Sequence, residues 1–265
     1  MSSFRPAVFA TFALGVFAMP APKRASVTTK YRIDVKADQT VDLSAFGGGS
    51  QATTSGVTAW VAVTLTDSAG GKAVRGILDS VNFTSSAPSI TQATADSAKG
   101  GTIHAFLDST RRIQNPVARP ADNVLLDQAL GVVSSMFPRV KSGAKLGDKW
   151  SDTTDVANTT LGRNLKTHFV LDYSVDGQET IAGMAALRLS VTSKSTMTGT
   201  APNSQVGTLS VEGAGSGSGT SLIGADGRFL GGSTTVSLDQ KLTPARSPAA
   251  IPVKVVQTVV VTLIP

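Results

Sequence analysis

At 265 residues the chain can bury one large β core or two small ones, and without cysteine it has neither a disulfide, a thiolate metal site nor a lipid-anchored cysteine. Charged residues make up 16% and aromatics 5%, while glycine, serine and threonine are abundant, a composition of turns and strands rather than exposed helices. Of the net charge of +6, residues 111–150 carry +4, with Arg111, Arg112, Arg119, Arg139, Lys141, Lys145 and Lys149 against Asp122, Asp127 and Asp148. They suit an anionic membrane surface met through residues 111–149, a glycan or a solvated rim, and with only Trp150 free to stack on bases, no nucleic-acid partner is expected.

In chain order, Arg5 and the apolar run Ala7–Met19 read as a secretory leader over residues 1–25, too short to span a bilayer, with Val16 and Ala18 before a cleavage point. An uncleaved anchor or a buried strand is the other reading. A single β-rich domain then covers 26–265.

Its first β block spans 27–110. In Val27–Val35 the apolar and polar residues alternate, the pattern of a half-buried strand. Val41–Phe46 is a short second piece. Val57–Thr66 and Lys72–Phe83 flank a turn at residues 67–71, residues 84–101 read as a surface loop, and Thr102–Asp108 is a further strand. Arg111–Ala121, with its two prolines, crosses to a helix.

That helix covers 121–137. Leu125, Leu126, Ala129, Leu130, Val132, Val133, Met136 and Phe137 fall on one arc of about 160°. Pro120 or Asp122 opens it and Pro138 closes it. An apolar face that wide requires a partner, and the only surface available is a sheet.

The second β block spans 148–264, with strands at 164–176, 180–197, 205–223, 227–240 and 252–264. Asp176-Gly177 and Asp226-Gly227 carry the preferred hairpin pair, which implies antiparallel order. Gly213, Gly215, Gly217 and Gly219 recur with period two, so one strand face has no side chains. Either a backbone or bulky group lies close there, or the sheet bends, or the run is a linker.

Chemistry is sparse. His104 and His168 each open a His-x-x-Leu-Asp pattern, but His and Asp four residues apart on a strand lie about 13 Å from each other and share neither metal nor proton. Ser142-x-x-Lys145 precedes no helix, no nucleophile elbow or phosphate loop is present, and the sequons at Asn82 and Asn158 are short patterns. No catalytic, cofactor or metal residue is assigned, and the chain reads as non-enzymatic. The low aromatic content argues against a membrane-spanning barrel.

Phe137-Pro138-Arg139-Val140 followed by Gly147-Asp148-Lys149-Trp150 resembles a signature of exported bacterial β-rich proteins grouped as a family of unknown function. The resemblance implies a β block, a helix and a second β block, in a periplasmic or extracellular setting, and it brings no active site. The order is also similar to that of lipoprotein-carrier half-barrels. The expected fold is mainly β: a curved antiparallel sheet, or sheets, with one amphipathic helix on the concave face. Two functions follow. An envelope protein would hold a lipid or acyl chain between sheet and helix, with Leu126, Leu130, Val133 and Phe137 lining the cavity and Trp150 at its mouth. Alternatively the same residues form a filled core and the protein is a structural or interaction module of the envelope.

Overall fold

The alternation that marks Val27–Val35 becomes strand β1 (Ser26–Asp42), whose Tyr31 and Ile33 are buried while Lys30 and Arg32 are exposed. The computed structural model describes residues 25–86, 92–141, 143–159, 162–203, 207–247 and 249–264. Beyond β1, the strands are β2 (Ser50–Ser68), β3 (Gly71–Ser85), β4 (Thr102–Asp108), β5 (Ile113–Arg119), β6 (Lys149–Asn158), β7 (Asn164–Ile181), β8 (Met184–Asn203), β9 (Gly207–Gly224), β10 (Phe229–Pro244) and β11 (Ile251–Ile264). Two α-helices, α1 (Gln92–Ala98) and α2 (Val124–Ser135), and a 3-10 turn at Ser44–Phe46 complete the fold of the described residues. The expected leader falls outside the described residues except for Ala25.

All eleven strands form one sheet in the order β5-β4-β3-β2-β1-β11-β10-β9-β8-β7-β6, so the two β blocks are joined by β1 against β11. Every neighbouring pair is antiparallel. The sheet curls strongly. Arg111, in the β4–β5 turn, donates to the Gly227 carbonyl in the β9–β10 turn at 2.7 Å, although those strands are far apart in the sheet. Tyr31 on β1 likewise donates to the Phe229 carbonyl at 2.7 Å. Across the remaining gap between the two sheet edges, Arg112 beside β5 and Arg139 after α2 both reach Asp152 on β6, at 3.2 and 3.0 Å. The result is a half-barrel, nearly closed along that seam.

The glycine stripe lies under side chains that lean over it from both neighbouring strands. On the concave face a Cβ at Gly217 would lie 2.7 Å from Ser193 Oγ, and one at Gly215 2.8 Å from Ser195 Oγ. Over Gly213 the side chains of the two flanking strands meet, Gln240 Nε2 lying 3.6 Å from Met197 Sδ. Side chains on β8 and β10 occupy the space that β9 leaves empty, so the sheet folds over with no linker.

At the end of the half-barrel that carries the β2–β3, β4–β5, β7–β8 and β9–β10 turns, called here the upper end, the concave face is filled. Helix α2 packs on β5, β4 and β3, and α1 on β3 and α2. Asn123 is the N-cap, its Oδ1 accepting from the Leu125 and Leu126 N–H groups at 3.0 and 3.2 Å, in place of the expected Pro120 or Asp122. Its amide donates to the Thr94 carbonyl and Ser97 Oγ, tying the two helices together. Leu125, Leu126, Ala129, Val133, Met136 and Phe137 are buried, as the helical arc requires.

The structure corrects several local expectations. Residues 84–101 are not a continuous loop: α1 forms because Ala95 and Ala98, one turn apart, bury against the sheet, and Gly100 at φ 76° ends it by donating to the Leu78 carbonyl. Among the described residues there are therefore two α-helices instead of one. Residues 111–121 contain strand β5, and the second β block opens with a further strand, β6, ahead of the first one expected at 164–176. Asp176-Gly177 is a bulge, with Arg188 donating to Asp176 Oδ1 at 2.9 Å and lying over Gly177; the hairpin turns at Ala182-Gly183, both at positive φ.

Candidate functional site

Below the helices nine strands continue as a bare trough. Its floor is the glycine stripe on β9, and its walls are β3, β2, β1, β11 and β10 on one side and β8, β7 and β6 on the other. Val191, Phe169, Leu171, Val236, Leu238 and Val255 face into it. All six are half-buried, and they lie outside the hydrophobic core that fills the upper end. The convex face of the same strands is mainly Ser, Thr, Lys and Asp: Ser216, Ser218, Lys194, Thr196 and Asp239 are exposed, with Val256 and Val260 on β11 as apolar exceptions. Apolar inside and polar outside is the polarity of a water-exposed shell around an apolar space. At about 3.3 Å per residue the stripe from Gly213 to Gly219 runs for roughly 20 Å.

The far end of the trough is partly closed by Pro244, Leu209, Val211 and Val253, which are buried. The upper end is closed by the core. Here the space between helix and sheet is filled: Leu126 is 0% exposed, and a Cβ at Gly101 would lie 2.6 Å from both its methyls. Val133 and Phe137 are also buried, whereas Leu130 and Trp150 are half-buried on the margin of the core. Trp150 stacks on Tyr173 with ring centroids 5.3 Å apart, and its indole N–H donates to the Arg139 carbonyl at 2.8 Å. Burial first, and the neighbouring Asp152 carboxylate second, push the Tyr173 hydroxyl up to about 12. Two shallow depressions, of about 250 and 380 Å³, border convex-face residues such as Lys36 and Thr58 in one and Lys30 and Trp60 in the other.

The two histidines do not meet. His104 on β4 lies beside Thr102, and His168 on β7 pairs with Asp155 on β6 at 2.7 Å, both exposed on the convex face of strands at opposite sides of the sheet. Among the described residues no group of three or more His, Cys, Asp or Glu could hold a metal ion, and no helix is long and apolar enough to cross a membrane. Ser142 lies outside the described residues. Of the basic cluster, Arg111, Arg112 and Arg139 are engaged in the contacts that hold the half-barrel closed, while Arg119, Lys141, Lys145 and Lys149 are exposed.

The trough residues were missed by sequence reasoning because the apolar side chains are interleaved along their own faces with Ser, Thr, Gln or Gly. On β8 the inward sequence is Val191, Ser193, Ser195, Met197. The one visible signal was the glycine period, which marks the floor.

No family model matches the sequence, and no curated protein does. The resemblance around residues 137–150 therefore gains no family assignment. Among solved structures, one of lipid–protein interactions in lipovitellin aligns with 92% of this chain at 11% identity and a TM-score of 0.47. The chain spans 25% of that one. At that distance no ligand or role transfers.

Proposed function

We propose that this is a non-enzymatic, exported protein of the cell envelope that holds an acyl chain or similar lipid along the trough. The observation that carries the reading is the half-buried apolar face on β7, β8, β10 and β11, outside the packed core, on a sheet whose other face is mainly polar. Burying such a surface under a ligand is favourable at about 25 cal/mol per Å² of apolar area. Leu130 and Trp150 mark the upper limit of the ligand, backed by Leu126, Val133 and Phe137. The leader expected over residues 1–25 supports export, and the exposed Arg119, Lys141, Lys145 and Lys149 support contact with an anionic membrane during transfer of the ligand.

The test is native mass spectrometry of protein purified from its own envelope, followed by lipid extraction. The expected result is a near-stoichiometric acyl species that is lost in Leu238→Asp, a half-buried wall position, with circular dichroism and Tm showing that the variant is folded. A clean apo mass with no uptake of added fatty acid or lipid would sink the carrier reading and leave a structural or interaction module.

A further inference from the structure

The inward-facing side chains below the helices are neutral on strand after strand. From Val35 to Val41 on β1, and at the matching positions of β2, β3 and β7–β11, each is an aliphatic or aromatic residue, Met, Gly, Ser, Thr or Gln. The polar ones are spread along both walls. Gln39, Gln257 and Gln240 project from β1, β11 and β10, and Ser193, Ser195 and Thr167 from β8 and β7. Charge reaches the concave face of this region at one place among the described residues, a cluster at the seam centred on Asp152 of β6. The Asp152 carboxylate already holds Arg112 and Arg139, whose side chains are 49% and 43% exposed, so their pull on a further anion is screened by water.

We infer that the trough selects an uncharged acyl lipid, a long-chain ester or alcohol, over the free fatty acid. The inference rests on the acyl-chain reading above and specifies its ligand. A carboxylate drawn between these walls sheds hydration and meets amides and hydroxyls with no countercharge, whereas an ester or hydroxyl group is satisfied by the same neutral partners. The amide groups of Gln257 and Gln39 donate to an ester carbonyl; the hydroxyls of Ser193 and Ser195 accept from an alcohol.

Methyl oleate and oleate share one chain and differ in charge, which isolates the effect. Each radiolabelled ligand is delivered from cyclodextrin to the purified full chain, and retention is measured by equilibrium dialysis. Wild type is expected to retain methyl oleate at least about tenfold more tightly than oleate. Gln257→Lys, which places a cation mid-trough, reverses the preference. Gln39→Lys, at a more exposed position on the same face, gives the same reversal in a second background should the first fail to fold. Equal retention of the two ligands, or tighter oleate in wild type, overturns the selectivity and leaves the acyl-binding reading intact. Retention of neither overturns both.

Discussion

Tyr31 and Tyr173 are the two tyrosines of the chain, and both are buried. Burial is the leading cause in each case, and it raises both hydroxyls from 10.0 to about 12. A group whose folded pKa lies above its unfolded value contributes stability that is intact below the unfolded pKa and is lost as pH rises toward the folded one. Stability should therefore hold up to about pH 10 and fall between there and about 12. Ultraviolet titration of the native protein should show no phenolate step near pH 10, and the urea-unfolded chain should show it in full. A normal step in the native state would mean that at least one ring is open to water. Glycine at position 219 makes a second residue-scale case. A Cβ there would fall on the Ser233 carbonyl oxygen, a backbone atom that cannot swing aside. Gly219→Ala is expected to cost about 2–3 kcal/mol in urea unfolding, while Ala214→Val, on the exposed convex side of the same strand, stays within about 0.5.

Between α1 and α2 the tie is Asn123, which caps α2 with its oxygen and holds α1 with its nitrogen. Asn123→Ala should cost about 2 kcal/mol, combining a lost cap with a lost buried hydrogen bond. Asn123→Asp keeps the capping oxygen and loses the amide donors to Thr94 and Ser97, so it should fall between wild type and alanine; equal loss in both variants would mean that the tie to α1 carries the whole effect. The helical arc of α2 was legible because eight apolar residues share one side of a single element. The strong alternation of β1 and the bounds of β4 were legible for the same reason. Helix α1 was not, since its buried residues are alanines, which carry little hydrophobic signal, set among Gln, Thr, Asp and Ser. Nor was the fate of Asp176-Gly177: the pair favours a turn locally, and Arg188, brought across by pairing with β8, makes it a bulge. The trough depends on the register between successive strands, which no single strand's pattern encodes.

Across the whole molecule, the same long strands pass from a packed environment to an open one. In β8, Leu189 is fully buried in the core, whereas Ser193, Ser195 and Met197 have nothing of that core beneath them. The ladder of β8 runs without a register shift against β9 and, below the bulge at Asp176-Gly177, against β7, so secondary structure alone predicts no loss of protection toward its lower half. Burial predicts a gradient, because opening the lower half exposes little surface that was not already half wet. Native-state hydrogen exchange should show Leu187–Val191 exchanging at the global unfolding free energy. Ser193–Ala201 should exchange at least about tenfold faster, a difference of about 1.4 kcal/mol, through a smaller opening. A ligand bound in the trough supplies the missing layer and, binding only the closed form, slows the lower segment by mass action while the upper one follows the global stability. Equal protection along β8 in the unliganded protein would mean that the lower half is stabilised by something other than an inner layer, and the need for a ligand there would disappear.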